Sequence, residues 1–295
     1  MTSFRGLAVA LATPFTNSDT ADLDAFRRLV RKVAEAADVL VPLGSTGEAA
    51  TLTDGERDSL ILACLEEAGG KPVLVGTGSN ATRQAAAWTR RAQELGATGA
   101  LVVTPPYNKP TADGLVAHFR AVADAAPGLP LVVYNVPGRT GLNLAPDVLG
   151  RLWENPQVEA VKESSGDPGQ IGEIARALPA GKTLLAGDDN LALPSIALGA
   201  EGLVSVLGNA LPREMKALVD SALAGRREEA LALHQRLLPL MGALFCESNP
   251  IPLKALLAQE GICTDRPRLP LVPASETTRK ALAAAWRQAL TVEAA

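Results

Sequence analysis

The chain has 295 residues, of which 47% are hydrophobic and 20% are charged, a composition typical of a folded protein with a large core. Its net charge of -4 provides no basic surface, so neither nucleic acid nor an anionic membrane is an expected partner. No apolar run is long enough to span a membrane. The three cysteines are far apart and show no metal-ligand spacing. We therefore expect a reduced cytoplasmic protein without a structural metal.

One unit recurs along the chain: a short apolar run, a break rich in Gly, Pro, Thr or Asn, and an amphipathic helix. The predicted strands are Gly6–Leu11, Val39–Leu43, Pro72–Val75, Ala100–Val103, Leu131–Val133, Val158–Lys162, Thr183–Ala186 and Gly202–Val206. The predicted helices are Leu23–Ala37, one opening at Thr53, Thr82–Leu95, Asp113–Ala125, Pro146–Trp153, Gln170–Leu178, Leu191–Leu198 and Pro212–Ala224.

Strands that are apolar throughout are typical of a parallel sheet covered on both faces. Eight such strands, each followed by a helix, favour a closed (β/α)8 TIM barrel over an open doubly wound sheet. We predict an α/β protein in which residues 1–225 form this barrel. Residues 226–295 have a helical pattern, interrupted at Asn249-Pro-Ile-Pro252, and are predicted to form an appended C-terminal helical bundle.

The sixth predicted strand ends in a lysine. Lys162 has the same parity as Val158 and Ala160, so all three side chains lie on one face. A cation on an apolar face must be paired, reach water or serve a chemical purpose. From this strand alone, a solvated charge and a catalytic amine are equally good interpretations.

The functional groups of a TIM barrel follow the carboxyl ends of its strands. At those predicted ends lie Ser45, Thr46, Tyr107, Tyr134, Arg139, Lys162, Gly187 and Val204. The chain has only two tyrosines, and both belong to this set. Ordinary packing with the hydroxyl at the surface is the alternative interpretation of those tyrosines.

These groups are suited to Schiff-base chemistry. A neutral lysine amine in a partly dry site can attack a ketone, and the resulting iminium makes an adjacent carbon acidic. A tyrosine hydroxyl within reach can transfer that proton. The Ser45-Thr46 pair between two glycines can bind a carboxylate. Arg139 can hold a second carboxylate through two hydrogen bonds, or it can form a salt bridge at the rim.

With these residues in view, the chain resembles the dihydrodipicolinate synthase / N-acetylneuraminate lyase family of pyruvate-dependent aldolases. The resemblance runs from Gly6 to about Ile262. Its motifs are Gly44-Ser-Thr-Gly-Glu48, Thr104-Pro-Pro-Tyr-Asn-Lys-Pro110, Tyr134-Asn-Val-Pro-Gly-Arg-Thr-Gly141, Val161-Lys-Glu163, Gly187-Asp-Asp189 and Asn249-Pro-Ile-Pro252. Arg139 is similar to the arginine of the synthases, because sister lyases and sugar-acid aldolases usually differ there.

The resemblance implies a catalytic residue set. Lys162 would form the Schiff base with pyruvate, Tyr134 would donate and accept protons, and Ser45 and Tyr107 would relay them. Tyr107 would come from the neighbouring subunit. The relay position is usually threonine in the family, and Ser45 keeps the hydroxyl.

The resemblance also implies the substrates and the assembly. Thr46 and Val204 would contact pyruvate, Arg139 the carboxylate of L-aspartate 4-semialdehyde, and Gly187 belongs to the same substrate-binding set. The product would be 4-hydroxy-tetrahydrodipicolinate, on the route to diaminopimelate and lysine. No cofactor is implied, because the covalent partner is the substrate. The family assembles mostly as homotetramers, dimers of dimers.

One departure concerns feedback by lysine. Lysine-inhibited members carry an aromatic residue before the shared tyrosine, and a histidine and a glutamate elsewhere in the inhibitor site. The matching positions are Pro106, Arg57 and Gln84, beside a retained Asn80. We therefore expect weak or absent inhibition by L-lysine.

Three other interpretations remain open. Gly76-Thr-Gly-Ser-Asn-Ala81 is similar to a dinucleotide-binding loop and would indicate an oxidoreductase, although the next strand lacks the supporting acidic residue. A non-catalytic barrel would be a binding module. A pyruvate-dependent aldolase acting on another aldehyde, such as a 2-keto-3-deoxy sugar acid aldolase, would share the fold and the lysine.

Overall fold

The computed structural model describes residues 4–291, so the outer limits predicted for the two regions, residues 1 and 295, lie outside the described residues. Eight parallel strands form one sheet in the order β2-β1-β8-β7-β6-β5-β4-β3. Backbone hydrogen bonds from Leu40 N to Pro72 O (3.0 Å) and from Gly76 N to Pro42 O (2.9 Å) join β2 to β3 and close the circle. The strands are β1 Gly6–Ala10, β2 Val39–Val41, β3 Leu74–Gly76, β4 Gly99–Val103, β5 Leu131–Asn135, β6 Val158–Glu163, β7 Thr183–Ala186 and β8 Gly202–Ser205. The predicted TIM barrel is confirmed.

Helices alternate with the strands and cover the outside of the barrel. They are α1 Leu23–Ala34, α2 Asp54–Glu67, α3 Thr82–Leu95, α4 Ala112–Ala125, α5 Pro137–Thr140, α6 Pro146–Leu152, α7 Pro168–Ala177, α8 Ala192–Ala197 and α9 Pro212–Leu223. The helix predicted to open at Thr53 is α2, and a capping box starts it, in which Thr53 and Glu56 bond each other's backbone N–H groups. Helix α1 ends earlier than predicted, because the N–H groups of Ala36 and Ala37 both turn back to Val33 O.

The strands are buried on both faces, as their apolar sequences predicted. One apolar cluster fills the barrel interior and includes Ala8, Val41, Leu101, Ala160 and Val204. Two further clusters lie between the strands and the helices. Because both faces of each strand are covered, the polar side chains that must stay accessible are confined to the ends of the barrel.

Three helices complete the chain: α10 Arg227–Ala243, α11 Ile251–Gln259 and α12 Glu276–Leu290. Their buried leucines, among them Leu237, Leu256 and Leu282, belong to the same cluster as Leu29 of α1 and Leu60 of α2. Of the predicted interruption Asn249-Pro-Ile-Pro252, only Asn249 and Pro250 lie outside a helix. Ile251 and Pro252 already belong to the first turn of α11, where proline is tolerated. The longest of the described helices has 17 residues, and none of them is long and apolar enough to cross a membrane.

The glycine-rich loop after β3 has a packing explanation. A Cβ at Gly76 would lie 2.0 Å from the carbonyl oxygen of Leu43, and a Cβ at Gly78 would lie 2.6 Å from Val103 N. Neighbouring backbones therefore pass too close for any side chain here. These steric contacts explain why both residues are glycines, and a dinucleotide-binding role is not needed to explain them.

Candidate active site

A cavity of about 670 Å³ lies at the carboxyl ends of the strands, where the functional groups of a TIM barrel are expected. Six of the eight predicted site residues line it: Ser45, Thr46, Tyr134, Arg139, Lys162 and Gly187. They come from the ends of β2, β5, β6 and β7. The structure therefore brings together groups that are separated by more than a hundred positions in the chain.

Lys162 and Tyr134 form the centre of this cavity. They are directly paired across β5 and β6, and the Nζ atom of Lys162 lies 4.1 Å from the centre of the Tyr134 ring. Lys162 is only 5% exposed, so it is not a solvated charge at a strand end. Its ammonium has no hydrogen bond or salt bridge to any residue between 4 and 291. A buried amine without a partner, in contact with a tyrosine, is available for nucleophilic attack.

Gly187 leaves room for the lysine side chain. A Cβ at this position would lie 1.8 Å from Ser164 Oγ and 3.0 Å from Lys162 Cε. A side chain at this position would collide with Ser164 and crowd Lys162. Glycine at position 187 thus has a steric explanation, and its contact with a substrate stays a prediction.

The Gly44-Ser-Thr-Gly-Glu48 loop is held from the C-terminal region. Asn249 Nδ2 donates a hydrogen bond of 2.9 Å to Thr46 Oγ1, and the carbonyl oxygen of Asn249 accepts one of 3.0 Å from Arg139 Nη2. Asn249 itself lines the cavity. The sequence pattern indicated only a helix interruption at Asn249, so its contact with Thr46 and Arg139 was missed.

A buried ion pair anchors the same loop. Lys254 of α11 pairs with Glu48 Oε1, and neither side chain is exposed by more than 2%. Burial lowers the pKa of the Lys254 ammonium, and Glu48 opposes this shift. The other Glu48 oxygen accepts a hydrogen bond of 2.7 Å from Arg268 N, and Lys254 Nζ donates one of 3.0 Å to Arg266 O. Glu48 is thus bonded to α11 and to the segment that follows it.

That segment, residues 260–275, has no helix and carries three prolines, Pro267, Pro270 and Pro273. The Arg268 side chain bonds Thr51 O at 2.9 Å and Glu56 Oε1 at 2.7 Å, and this contact lowers the pKa of the Glu56 carboxyl to about 2. The segment therefore lies against the Gly44–Glu48 loop and the start of α2, a contact that no sequence pattern predicted.

Two predicted site residues do not line the cavity. Tyr107 is 88% exposed and has a left-handed backbone with φ of +72°, a conformation that is uncommon for a bulky residue. Its N–H donates to Thr140 O at 3.1 Å. Val204 belongs to the apolar cluster inside the barrel, and Val206, two residues further on, lines the cavity instead.

A second cavity of about 560 Å³ adjoins the first and shares Ser45, Tyr134 and Arg139 with it. Arg57 lines it together with Asn80 and Pro106, whereas Gln84 does not. The Arg57 guanidinium stacks 3.9 Å from the Trp88 ring and donates to Gly76 O at 2.7 Å. Burial lowers the pKa of Arg57 to about 10, against the opposing effect of Asp54 and Asp58, so the group stays charged at neutral pH.

The three cysteines are all free thiols. Within residues 4–291, no group of three or more His, Cys, Asp or Glu side chains is arranged to hold a metal ion.

A closed (β/α)8 barrel with a buried, unpaired lysine beside a tyrosine at its mouth defines a class of enzyme that activates a ketone as a Schiff base. Comparison with known proteins identifies the family within that class. The model of the dihydrodipicolinate synthetase family matches residues 3–289. The chain belongs to this family, and the resemblance seen in its sequence motifs is confirmed.

Individual relatives agree with this assignment. The chain is 46% identical over 287 residues to the 4-hydroxy-tetrahydrodipicolinate synthase of an Exiguobacterium species, covering 97% of this chain and 98% of the relative. Dihydrodipicolinate synthase from Cyanidioschyzon merolae, solved with lysine bound, is 38% identical with a TM-score of 0.94, over 98% and 99% of the two chains. A monomeric dihydrodipicolinate synthase variant is 39% identical with a TM-score of 0.93, over 97% of each chain.

Replacing Lys254 by methionine tests the anchor of the Gly44–Glu48 loop. The Glu48 carboxylate would be left buried without its cation, and we expect the free energy of unfolding to fall by about 3–5 kcal/mol. Urea unfolding followed by circular dichroism at one fixed protein concentration measures this loss.

Lys280→Met is the matched control for that variant. Lys280 pairs with Glu276 on the surface of α12, where both side chains are more than 70% exposed, and the expected loss is below about 1 kcal/mol. Equal losses of unfolding free energy in the two variants would contradict a stabilising role for the buried Lys254–Glu48 pair.

Proposed function

We propose that this protein condenses pyruvate with L-aspartate 4-semialdehyde to give 4-hydroxy-tetrahydrodipicolinate, in the biosynthesis of diaminopimelate and lysine. The observation that carries the proposal is the buried, unpaired amine of Lys162 against Tyr134, in one cavity with Arg139. The full-length relatives that bear the name of this synthase support the choice of substrates.

The reaction begins with attack of Lys162 Nζ on the ketone carbon of pyruvate. Water leaves, and the iminium withdraws electrons, so that the methyl carbon gives a proton to Tyr134 and becomes an enamine. The enamine carbon bonds to the aldehyde carbon of the second substrate, the aldehyde oxygen takes the proton held by Tyr134 to become a hydroxyl, and the iminium is restored. The amino group of that substrate then attacks the iminium carbon, which closes the ring and releases Lys162. Ser45 and Tyr107 are the proposed relay for the protons of Tyr134.

Pyruvate is held through its carboxylate by the loop after β2. Because Thr46 Oγ1 already accepts the N–H of Asn249, its own hydroxyl proton is free to be donated to a carboxylate. Ser45 lines the same wall of the cavity. The predicted contact of Val204 with pyruvate is part of this proposal, although Val204 lies in the barrel interior and Val206 lines the cavity.

The acceptor is assigned through Arg139. Its guanidinium uses one donor on Asn249 O, which orients the group and leaves other donors for a carboxylate. An aldehyde that carries a carboxylate fits this arrangement better than a neutral sugar aldehyde. A 2-keto-3-deoxy sugar acid aldolase, which would share Lys162 and Tyr134, is the alternative.

The proposed enzyme is a cytoplasmic homotetramer in which Tyr107 completes the site of a neighbouring subunit. The 88% exposure of Tyr107 supports this assembly, because a tyrosine in a strained backbone conformation gains stability when a partner covers it. Exposed leucines on α10, Leu231 and Leu238, and the neighbouring Leu198 provide apolar surface for further contacts.

Borohydride reduction tests the first step. In the presence of pyruvate, we expect the peptide that contains Lys162 to gain the mass of a reduced pyruvate adduct, and Lys162→Ala to gain none. The wild-type enzyme is then assayed with L-aspartate 4-semialdehyde and with glyceraldehyde as acceptors. An unmodified Lys162 peptide would exclude the mechanism, and preference for the sugar aldehyde would favour the alternative enzyme.

Mixing two inactive variants tests the donation of Tyr107 between subunits. Tyr107→Phe and Lys162→Ala should each have little activity, whereas chains unfolded together and refolded should recover about a quarter of the wild-type rate, because half of the dimers are mixed and each mixed dimer has one intact site. Each variant refolded alone is the control. A mixture no more active than its components would place Tyr107 outside the partner's site.

Lysine feedback is tested directly. We expect activity to stay unchanged as L-lysine rises into the millimolar range, since the fixed positive charge of Arg57 in the second cavity repels an ammonium group. The variant Arg57→His removes that fixed charge from the second cavity, and it should become more sensitive to lysine. Strong inhibition of the wild-type enzyme at low concentration would contradict this expectation.

A further inference from the structure

The Gly187-Asp-Asp189 stretch places two neighbouring carboxylates in opposite surroundings. Asp189 is fully buried and accepts hydrogen bonds from Ser205 Oγ at 2.5 Å and from the backbone N–H groups of Val206 and Leu207, each at 2.9 Å. These bonds tie the end of β7 to the end of β8. The carboxylate of Asp189 is therefore held by the fold, and it does not line the cavity.

Asp188 has no such partners. Its side chain lines the active-site cavity together with Lys162 and Arg139, and it makes no hydrogen bond or salt bridge to any described residue. Burial raises the pKa of the Asp188 carboxyl to about 6, with Lys162 and Arg139 opposing the rise and Asp189 and Glu163 adding to it. The group is still mostly ionised at neutral pH. A partly buried carboxylate without a partner is costly, which indicates that it is kept for a ligand.

The other acidic residue on the cavity wall, Glu247, already accepts hydrogen bonds from the protein. Glu247 accepts hydrogen bonds from Ser275 N at 3.1 Å and from Thr278 Oγ1 at 2.7 Å, and it holds the start of α12. Arg139 is a cation, so a positively charged ligand in this cavity would be repelled unless an anion faced it. Of the two described carboxylates on the wall of this cavity, Asp188 is the one without a hydrogen-bond partner.

The geometry points to Asp188 as the residue that binds the ammonium group of the acceptor substrate, opposite Arg139, which holds its carboxylate. This inference rests on the proposed function and extends it from the shared pyruvate chemistry to the choice of acceptor. An amino aldehyde with a neighbouring carboxylate satisfies both protein charges at once. An aldehyde without the amino group leaves Asp188 unpaired and should bind more weakly.

The test compares two aldehydes in two enzymes. Wild type and Asp188→Asn are assayed with pyruvate and either L-aspartate 4-semialdehyde or 4-oxobutanoate, which lacks the amino group. Loss of a charge-assisted hydrogen bond should lower kcat/KM for the amino aldehyde roughly 10- to 100-fold. For 4-oxobutanoate, we expect kcat/KM, or the inhibition constant if it acts only as a competitive inhibitor, to differ by less than about threefold between wild type and Asp188→Asn.

Two further measurements distinguish a failure of this inference from a failure of the proposed function. Borohydride trapping with pyruvate alone should be as efficient in Asp188→Asn as in the wild type, and Asp188→Glu, which keeps the charge, should recover part of the preference for the amino aldehyde. Equal losses for the two aldehydes, or weaker trapping, would overturn the inference and show that Asp188 positions Lys162. A wild-type enzyme that traps pyruvate but ignores L-aspartate 4-semialdehyde would instead refute the proposed function.

Discussion

Closure of the sheet between β2 and β3 is the constraint on which the site depends. Two backbone hydrogen bonds, from Leu40 to Pro72 and from Gly76 to Pro42, turn eight parallel strands into a ring. In a ring of parallel strands all carboxyl ends face one side. Ser45 after β2 and Lys162 at the end of β6 therefore line one cavity, although the chain between them is longer than many whole domains.

The cavity is also held from outside the barrel. Asn249 links Thr46 to Arg139, and Lys254 neutralises Glu48 inside the protein. Both contacts join the loop after β2 to the region that follows the last strand. A buried charge is stable only with its partner in place, so the proposed pyruvate-binding loop and the C-terminal helices depend on each other. The C-terminal region is thus part of the site's framework as well as a cover for the barrel.

Much of the architecture follows from local pattern. Continuous apolar strands separated by amphipathic helices predict a parallel barrel. The predicted parity of the sixth strand was wrong for Val158, which lies in an outer cluster while Ala160 lies inside the barrel, because the register with β5 shifts at this point. The register that sets Lys162 beside Tyr134 was not predictable, because pairing between strands is a property of the closed sheet. The extended segment around Arg268 was missed for a similar reason. Its conformation is held by distant partners, Glu48, Thr51 and Glu56, rather than by local periodicity.

The sequence by itself determined the class of fold, the strand ends and the chemical types of side chain that follow them. Only the tertiary structure decided what each of those side chains does. Asp188 and Asp189 are identical and adjacent, yet one is bonded to β8 and the other faces the cavity. Tyr107 follows β4 and lies at the surface, whereas Val204 lies near the end of β8 and points inside the barrel cluster. The physical reason is that burial and hydrogen bonding depend on neighbours contributed by distant parts of the chain, which no local pattern specifies.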